Sequence, residues 1–368
     1  MHIGIDARLA YRRGVGTYCA NLIIALAKID RKNRYAVFNA PEELKKQVSN
    51  PKFVFLRVPF SNAALYEQSQ LPGAATLAGV DFLHYVDNSG PTHRTLPFVL
   101  TLHDTMHTRS LSEVRPQASL RQRLVYAYKK WTIPRSAKRA QALLTVSEYS
   151  KNQIVSQMGI HAEKVFVTPE AVNPGMFKRL HRKPSKLFKV LVHGAADERK
   201  NIPNVLKAVK ILKDLGKKFQ IVILGMDEAE LKCTNYMSEV ISLGIGSQIE
   251  WAGNVPSNLL GQVYTESDLF LYPSRWEGFG LPLLEAFACG VPVIAANTTS
   301  LPEVAGNAAL LVDPENPEAI AKAVRQMMEK PALRRRYIQM GLSRAKQFTW
   351  EKTARATLRV YEKMKENL

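Results

Sequence analysis

The sequence predicts an α/β protein with two doubly wound parallel sheets. Three observations support this class. Short apolar runs alternate with amphipathic stretches along all 368 residues, the pattern restarts after a basic stretch near the middle, and a glycine-bearing turn joins a strand to a helix in each half. Single strands that alternate with helices favour parallel sheets covered by helices. The length allows two domains with full cores.

The apolar runs have the length of buried strands. They lie at 3–6, 35–39, 53–58, 81–86, 98–102, 142–146, 164–168, 188–193, 220–224, 248–252, 269–272, 291–295 and 309–312. Helical spacing separates many of them, at 17–27, 121–139, 201–215, 257–265, 282–288, 317–328 and 331–347. The charged segment 350–368 is predicted to form a last helix.

The stretch 173–189 is rich in Pro, Lys and Arg and is predicted to link the two domains. The first domain then covers 1–180 and the second 186–347, and the helix at 350–368 is expected to pack back across the junction. Ligands of doubly wound proteins bind beyond the carboxyl ends of the strands, so a ligand crevice is expected there.

The formal net charge is +19, which implies anionic partners such as phosphorylated substrates, an anionic membrane or nucleic acid. The amino terminus is predicted to be a strand and not a signal peptide, because Asp6 and Arg8 interrupt any apolar region. No apolar run approaches the ~20 residues of a membrane span. Three cysteines without metal spacing favour reduced thiols and a cytoplasmic location.

The most informative stretch is 274–285, which reads SRWEGFGLPLLE. It places Glu277 and Glu285 on either side of a strand-to-helix turn, beside the amides of Gly278, Phe279 and Gly280. Amides at a helix start bind anions, and carboxylates accept hydrogen bonds from hydroxyls, so the pair suits a sugar nucleotide. Alternatively, Glu277 complements the helix dipole and Glu285 is solvated, although its apolar neighbours disfavour that reading.

The turn Gly14-Val15-Gly16 follows the first strand and opens a helix, so its amides can approach a phosphate, although such turns are often purely structural. The dinucleotide fingerprint is incomplete, because Cys19 stands at its third glycine position and Asn39 replaces the acidic residue. These departures argue against a nicotinamide-dependent oxidoreductase.

His103 and Asp104 end the apolar run 98–102. His103 is a candidate to hydrogen-bond a substrate hydroxyl, or else is a structurally satisfied histidine. Asp104 either orients it or caps the next turn. His107 has i,i+4 spacing to His103, but no further Cys or carboxylate cluster completes a metal site.

Arg199 and Lys200 follow the strand 188–193 and precede a helix. Adjacent cations at a strand end fit diphosphate recognition. A solvated charged loop is the alternative interpretation.

A basic region spans 109–139, with Tyr126, Tyr128 and Trp131 interleaved among its cations. The cations within it include Arg115, Arg121, Arg123, Lys129, Lys130, Arg135, Lys138 and Arg139. Such a surface suits anionic lipid headgroups. Nucleic acid is a rival partner, and a basic solvated face is the third interpretation.

Together these residues resemble glycosyltransferase family 4, whose members have the GT-B fold of two Rossmann-like domains that face each other across a cleft, and use nucleotide sugars. The resemblance covers nearly the whole chain. Its most specific part is 273–294, PSRWEGFGLPLLEAFACGVPVI, which is similar to the E-x7-E signature of the family. Supporting matches are Gly14-Val15-Gly16, His103-Asp104, VSEYS at 146–150, RKN at 199–201 and LPEV at 301–304.

The resemblance implies that Glu277 holds donor-sugar hydroxyls and that Glu285 binds the nucleotide ribose. Arg199 and Lys200 would grip the diphosphate and stabilise the leaving nucleotide. The backbone amides that assist Glu277 would be those of Gly278, Phe279, Gly280 and Leu281.

The resemblance also implies that Gly16 closes on the phosphate and that His103 contacts the sugar, at its C6 hydroxyl. Asn254 and Val255 lie in a segment that resembles the base-binding loop. No D-x-D motif is present, so neither a metal nor another cofactor is implied. The family retains the anomeric configuration, which a front-face substitution explains, with the leaving phosphate taking the acceptor proton.

The segment 297–314 looks most like bacterial mannosyltransferases of polysaccharide and O-antigen assembly, which favours GDP-mannose as the donor. UDP-glucose, UDP-galactose and UDP-N-acetylglucosamine are the alternatives. The implied acceptor is a glycan or lipid-linked glycan at the cytoplasmic membrane, where the basic first domain makes peripheral contact with anionic lipid. A nucleic-acid partner is not expected, since it leaves the two glutamates unexplained.

Overall fold

The computed structural model describes residues 1–12, 14–59, 62–93, 96–111, 119–182 and 187–366. The chain forms two compact α/β units. Unit 1 contains Met1–Ser110, Ser119–Glu170 and the residues from Thr349 on, and unit 2 is built on Ala171–Phe348. Arg115 and residues 183–186 of the predicted linker lie outside the described residues.

Unit 1 is built on a seven-stranded parallel sheet, in the order β3-β2-β1-β4-β5-β6-β7. Its strands are β1 His2–Asp6, β2 Arg34–Phe38, β3 Phe53–Leu56, β4 Phe82–Tyr85, β5 Phe98–Thr101, β6 Ala142–Thr145 and β7 Val165–Val167. The central strands are buried on both faces, which explains why they read as continuous apolar runs.

Helices cover the sheet of unit 1. They are α1 Val15–Ile29, α2 Glu42–Gln47, α3 Ala63–Leu65, α4 Leu71–Leu77, α5 Leu120–Arg139 and α6 Glu148–Met158, with a π-helical turn at Tyr66–Gln70 and 3-10 turns at Met106–Thr108 and Ala162–Lys164. Local chemistry sets several boundaries. Ser119 and Gln122 form a capping box at the start of α5, and Gly159 ends α6 in the left-handed conformation.

Unit 2 is built on a six-stranded parallel sheet, in the order β10-β9-β8-β11-β12-β13. Its strands are β8 Phe188–His193, β9 Phe219–Leu224, β10 Ile249–Gly253, β11 Leu269–Tyr272, β12 Val293–Ala296 and β13 Ala309–Val312. Apolar side chains of this sheet, of which Val190, Ile221 and Leu269 are examples, pack with the covering helices into one core.

The helices of unit 2 are α7 Ile202–Asp214, α8 Glu228–Lys232, α9 Tyr236–Ser242, α10 Leu260–Thr265, α11 Leu281–Ala288, α12 Leu301–Ala305, α13 Pro317–Glu329 and α14 Pro331–Ala345. Glu198–Lys200, Gly246–Gln248 and Ser257–Leu259 are 3-10 turns. Proline stands in the first turn of α7 and of α11 to α14, where its missing N–H costs no helical hydrogen bond.

The predicted fold class is confirmed, because both sheets are parallel and carry helices in the connections between their strands. All the predicted strands are present within a few residues of their predicted bounds. The helix predicted at 257–265 begins with a 3-10 turn, and α10 starts only at Leu260.

Each sheet has one point at which the strand order reverses. In unit 1 it lies between β1 and β4, and in unit 2 between β8 and β11. The loops that leave neighbouring strands at such a point run to opposite faces of the sheet, which opens a crevice at the carboxyl edge. Of the sequence-predicted residues of unit 2, Arg199, Lys200 and Glu277 follow the two strands at its reversal point.

The first part of the predicted linker is packed against unit 2. Phe177 is buried and meets the ring of Tyr264 edge-on at 6.0 Å. Arg182 forms a 2.8 Å ion pair with Asp268, and the stem of Arg179 packs on Gly290. These contacts explain why unit 2 begins at Ala171, before the stretch that composition marks as a linker.

The last helix, α15 Trp350–Glu366, belongs to unit 1 and packs on α1. The Tyr361 hydroxyl lies 2.6 Å from His84 Nδ1, and the Thr353 hydroxyl donates to the carbonyl of Pro169 at 2.6 Å. Burial lowers the pKa of His84 to about 3, so the ring is neutral in this contact. Of the helices that the structure describes, none is long and apolar enough to cross a membrane.

Candidate functional site

The site of unit 2 lies at the reversal point of its sheet. The turn that carries Arg199 and Lys200 follows β8, and the loop that carries Glu277 follows β11, the neighbouring strand. Asn254 and Val255 follow β10 at the same edge. The structure therefore collects these predicted residues at the carboxyl edge of one sheet.

Asn201 fixes the turn that carries the two cations. It is fully buried and adopts a left-handed backbone conformation, with a φ of 59°. Its amide Nδ2 donates to the carbonyl oxygens of Pro273 at 3.1 Å and Pro314 at 2.7 Å. These bonds join the turn after β8 to the segments after β11 and β13. The strained conformation is held by its surroundings, a pattern that concentrates at functional sites.

Lys200 and Glu277 form an ion pair at the centre of the site. Lys200 Nζ lies 2.7 Å from Glu277 Oε1 and 3.1 Å from the Tyr272 hydroxyl. The Lys200 and Glu277 side chains are only 17% and 13% exposed. The two residues that are predicted to contact the diphosphate and the sugar therefore touch each other.

The electrostatics of this pair keep Glu277 ionised. Burial alone raises the pKa of a carboxyl group, but the charges of Lys200 and Arg199 outweigh it and lower the pKa of Glu277 below its usual value. Burial and the Glu277 charge raise the pKa of Tyr272 well above its usual value, so the phenol stays protonated. The site thus presents a carboxylate that can accept hydrogen bonds from hydroxyls, beside the ammonium group of Lys200.

The loop 277–280 is held by hydrogen bonds to a second loop, which contains Thr299 and Ser300. Ser300 is fully buried, and its hydroxyl lies 2.9 Å from the carbonyl oxygens of both Glu277 and Phe279. The Glu277 amide donates to Thr299 Oγ1 at 3.3 Å. Gly280 precedes α11 with a φ of 100°, and a Cβ there would lie 2.6 Å from Leu301. Glycine is therefore required at this position.

Glu285 lies on α11 and is held by a buried tyrosine. The Tyr264 hydroxyl donates to Glu285 Oε2 at 2.8 Å and lies 3.0 Å from His193 Nε2. Burial and the Glu285 charge raise the pKa of Tyr264 well above its usual value, so it remains a donor. Glu285 is half-buried. The contact rejects the alternative that Glu285 is merely a solvated residue of a helix face.

Replacing Tyr264 by Phe is expected to raise the KM for the donor about five- to tenfold while kcat changes less than about threefold. The change removes the hydrogen bond that orients Glu285 but leaves the Lys200–Glu277 pair intact. Steady-state kinetics measures the split, with Tyr337→Phe on α14 as the matched control. An unchanged KM would contradict a positioning role for Tyr264.

Arg199 is paired within its own turn. Its Nε and Nη2 lie 2.7 Å from Asp197 Oδ2, and its guanidinium carbon lies 5.9 Å from the centre of the Trp276 ring. Asp197 partly neutralises Arg199, as Glu277 partly neutralises Lys200. Asn254 is exposed, and its amide lies 3.4 Å from Asp227 Oδ2.

Gly16 of unit 1 has a structural reason to be glycine. It is buried in the first turn of α1, where a Cβ would lie 2.1 Å from the carbonyl oxygen of Leu9. The Tyr11 amide donates to the Gly16 carbonyl at 3.0 Å. The preceding loop therefore folds tightly onto the helix start, and a phosphate contact by Gly16 stays a prediction.

His103 is buried, and both of its ring nitrogens are engaged within unit 1. Nδ1 lies 3.3 Å from Glu170 Oε1, and Nε2 lies 3.1 Å from the carbonyl oxygen of Val86. Burial opposes protonation of His103, but the hydrogen bond and charge of Glu170 outweigh it and raise the pKa of the ring. When the ring is protonated, it can donate to both acceptors. A sugar contact by His103 requires that one of these bonds be exchanged.

Asp104 caps the next turn, since its Oδ1 accepts from the Met106 amide at 3.0 Å. His107 is buried, and burial with the nearby Lys129 charge lowers its pKa to about 4. Among the described residues, no group of three or more His, Cys, Asp or Glu is arranged to hold a metal ion.

A second polar cluster lies at the reversal point of unit 1. Arg8 Nη2 lies 2.6 Å from Glu67 Oε1, and Arg8 Nε lies 3.2 Å from Asp6 Oδ2. The Ser89 hydroxyl donates to Glu67 at 2.9 Å. Burial raises the pKa of Asp6 to about 6, with Arg8 opposing it and the charges of Asp87 and Glu67 adding to it. One guanidinium thus pairs with two buried carboxylates, Asp6 and Glu67.

Sequence reasoning missed the residues that hold the site. Tyr272 and Tyr264 looked like core aromatics, and Ser300 lay in a segment used only for the family resemblance. Asn201 carried a usable signal. It follows two cations and directly precedes a helix with proline in its first turn, and Asn tolerates the left-handed conformation that such a turn needs.

Two family descriptions match the chain in succession. "Glycosyltransferase Family 4" matches residues 12–175, and "Glycosyl transferases group 1" matches residues 177–344. The O-antigen chain mannosyltransferase B of Escherichia coli is 30% identical over 296 residues, which cover 77% of this chain and 74% of that protein. The O-antigen chain mannosyltransferase RfbU of Salmonella typhimurium is 27% identical over 65% of this chain and 64% of its own length.

Solved structures share the architecture. Sucrose-phosphate synthase from Thermosynechococcus elongatus superposes with a TM-score of 0.77 at 18% identity and full coverage of both chains. Anabaena Alr3699/HepE in complex with UDP superposes with a TM-score of 0.68 at 16% identity, over 98% of this chain and 99% of that chain. The two matched family domains and the mannosyltransferase relatives together establish that this chain belongs to glycosyltransferase family 4, with the GT-B fold.

Proposed function

We propose that the protein is a retaining hexosyltransferase that moves mannose from GDP-mannose to a glycan or lipid-linked glycan in cell-surface polysaccharide synthesis. The observation that carries the proposal is the Lys200–Glu277 pair at the reversal point of the second sheet. In this pair Lys200 is a cation that can bind a diphosphate, and the neighbouring Glu277 is an ionised carboxylate that can accept hydrogen bonds from sugar hydroxyls. The relatives named as O-antigen mannosyltransferases support the choice of mannose.

In the proposed reaction the bond between the anomeric carbon and the β-phosphate oxygen breaks as the acceptor oxygen bonds to the same face of that carbon. The acceptor proton passes to the leaving phosphate. Lys200 and Arg199 stabilise the negative charge that develops on the diphosphate, which is the largest electrostatic demand of the step. Glu277 and the 278–281 backbone orient the sugar, and Glu285 binds the ribose. Neither glutamate acts as a nucleophile.

A UDP-sugar donor is the second candidate, and one specific observation favours it. A structural neighbour with the same architecture binds UDP. Asn254 and Val255, the proposed base contacts, act mostly through backbone groups, which suit either base. The diphosphate and sugar contacts of the proposal are the same for both donors.

The acceptor is proposed to bind unit 1. The position of the Asp6–Arg8–Glu67 cluster supports this assignment, because ligands of doubly wound domains bind at the carboxyl edge of the sheet, where the cluster lies. We further propose that His103 contacts the sugar and that Gly16 approaches the phosphate. The proposed location is the cytoplasmic face of the membrane, with peripheral attachment to anionic lipid.

A thermal-shift screen of GDP, UDP, ADP and their sugars tests the donor. At equal concentration, a ligand that binds only the folded state raises the melting temperature more when it binds more tightly. The proposal predicts the largest stabilisation with GDP and GDP-mannose. Larger shifts with UDP and UDP-sugars would select the second candidate, and no shift with any nucleotide would contradict the proposed function.

A further inference from the structure

The outer face of α5 carries an apolar stripe that points to solvent. Leu120, Leu124 and Trp131 are 75%, 65% and 51% exposed, and Ala127 is also exposed. These four residues have the spacing i, i+4, i+7 and i+11, which places them on one side of the helix. An exposed apolar stripe of this kind marks an interaction surface.

The opposite face of α5 fixes the helix on unit 1. Thr132, Ile133, Ser136 and Ala137 are buried. The Tyr126 hydroxyl lies 3.1 Å from the carbonyl oxygen of Met106 and 2.8 Å from that of Arg109. Tyr126 and Tyr128 are half-buried on this inner side, although the sequence grouped them with the basic surface. The stripe therefore cannot turn inward without loss of these contacts.

Cations flank the stripe. Arg121, Arg123, Lys130, Arg135 and Lys138 are exposed on α5, and no acidic residue occurs between 120 and 139. The Arg135 guanidinium lies over the Trp131 ring at 4.5 Å. Leu and Trp between Lys and Arg are the composition of helices that lie in the plane of a membrane interface.

From this arrangement we propose that α5 docks unit 1 on an anionic bilayer, with Leu120, Leu124, Ala127 and Trp131 inserted among the acyl chains and the flanking cations on the headgroups. A second copy of the chain would bring two cationic faces of a +19 protein together, which is unfavourable. Nucleic acid would pair with the cations but leave the leucines in water. A bilayer matches both the stripe and its flanks.

This inference deepens the proposed function, and it rests on that function for the lipid-linked nature of the acceptor. The inner face of α5 meets the Met106–Thr108 turn, which follows β5 and His103 at the carboxyl edge of the first sheet. A membrane-bound α5 therefore holds that edge close to the headgroups, where the glycan of a lipid-linked acceptor begins.

Co-sedimentation with vesicles of phosphatidylcholine, alone or with phosphatidylglycerol, tests the proposal on the full chain. We expect binding to the phosphatidylglycerol vesicles, and at least about a tenfold weaker partition for the double variant Leu124→Glu/Trp131→Glu. Leu77→Glu is the matched control, because Leu77 is 92% exposed elsewhere in unit 1. Equal loss in the control, or no binding by the natural sequence, would overturn the proposal.

The charge contribution is tested separately. The double variant Arg123→Glu/Lys130→Glu should weaken binding to anionic vesicles about tenfold or more, and added salt should weaken binding by the natural sequence. Lys28→Glu/Lys46→Glu makes the same change in net charge at exposed positions outside α5 and should bind normally. Equal effects of the two pairs would assign the binding to net charge and sink the α5 assignment.

Nucleotide binding without lipid separates this inference from the proposed function. Each variant should keep the full GDP-induced thermal shift, since α5 belongs to unit 1 and Lys200 and Glu277 to unit 2. Vesicle binding without any nucleotide shift would refute the proposed function alone. A nucleotide shift without vesicle binding would refute the α5 proposal alone.

Discussion

Replacing Glu277 by Ala is expected to abolish sugar transfer while unit 2 stays folded. The carboxylate holds Lys200 at 2.7 Å and is proposed to accept hydrogen bonds from the donor sugar, so its loss removes sugar orientation and leaves Lys200 without this partner. We expect kcat to fall about a thousandfold or more, the scale of losing one preorganised electrostatic contact in a shielded site. Steady-state transfer kinetics and a thermal melt measure activity and folding.

The matched control for this prediction is Glu329→Ala. Glu329 pairs with Lys217 at 2.6 Å in the same unit. Neither residue lies at the carboxyl end of a strand, where the proposed site is found. The control should retain full activity. Transfer at the natural rate by Glu277→Ala would remove the residue from the proposed mechanism, and a comparable loss in Glu329→Ala would trace the effect to folding.

Replacing Lys200 or Arg199 by Ala is expected to weaken GDP binding about ten- to a hundredfold and guanosine binding less than about threefold. A charge-assisted hydrogen bond to phosphate is worth roughly 1.5–3 kcal/mol, and the free nucleoside does not make it. We expect similar effects from the two variants, because each cation has one carboxylate partner at 2.7 Å, Asp197 for Arg199 and Glu277 for Lys200. Isothermal titration with both ligands measures the ratio, with Lys217→Ala as the control.

The Lys200 variant also has a pH signature. The Lys200 charge helps to hold the pKa of Glu277 below its usual value. Its removal leaves burial less opposed, so the pKa of Glu277 rises and the carboxyl group protonates at a higher pH. Residual activity of Lys200→Ala should therefore fall off at a higher pH on the acid side than the activity of the natural sequence. Equal losses of GDP and guanosine binding would contradict the diphosphate assignment. An unchanged acid-side pH dependence would contradict the electrostatic coupling of Lys200 to Glu277.

The strands and the sites at their ends follow from the sequence because their causes are local. A parallel strand buried on both faces reads as a short apolar run, and Glu277 stands out because it follows such a run at a glycine turn. The sequence predicted that Lys200 and Glu277 bind the same donor, but it did not predict that their side chains touch. Lys200 is 77 positions away, and only the strand order β8-β11 brings the two side chains together.

The supporting tyrosines could not be predicted, because they follow ordinary burial rules. Tyr264 and Tyr272 lie in apolar surroundings, and only the three-dimensional position of each hydroxyl reveals a contact with the site. The outer face of α5 shows the opposite limit. Its leucines and Trp131 break the rule that apolar side chains face the core. Periodicity alone would therefore predict that this face of the helix is buried, whereas it is exposed.

The central claim is that this chain transfers a sugar from a nucleotide to a glycan through the Lys200–Glu277 site. Incubation of the protein with radiolabelled GDP-mannose and a lipid-linked glycan acceptor tests it most directly, with label followed into the lipid-extractable fraction. The natural sequence is predicted to move label into that fraction with release of GDP, and Glu277→Ala is predicted to leave it on the nucleotide. Label that stays on the nucleotide with the natural sequence, for GDP-mannose and for UDP-sugars alike, would contradict the claim.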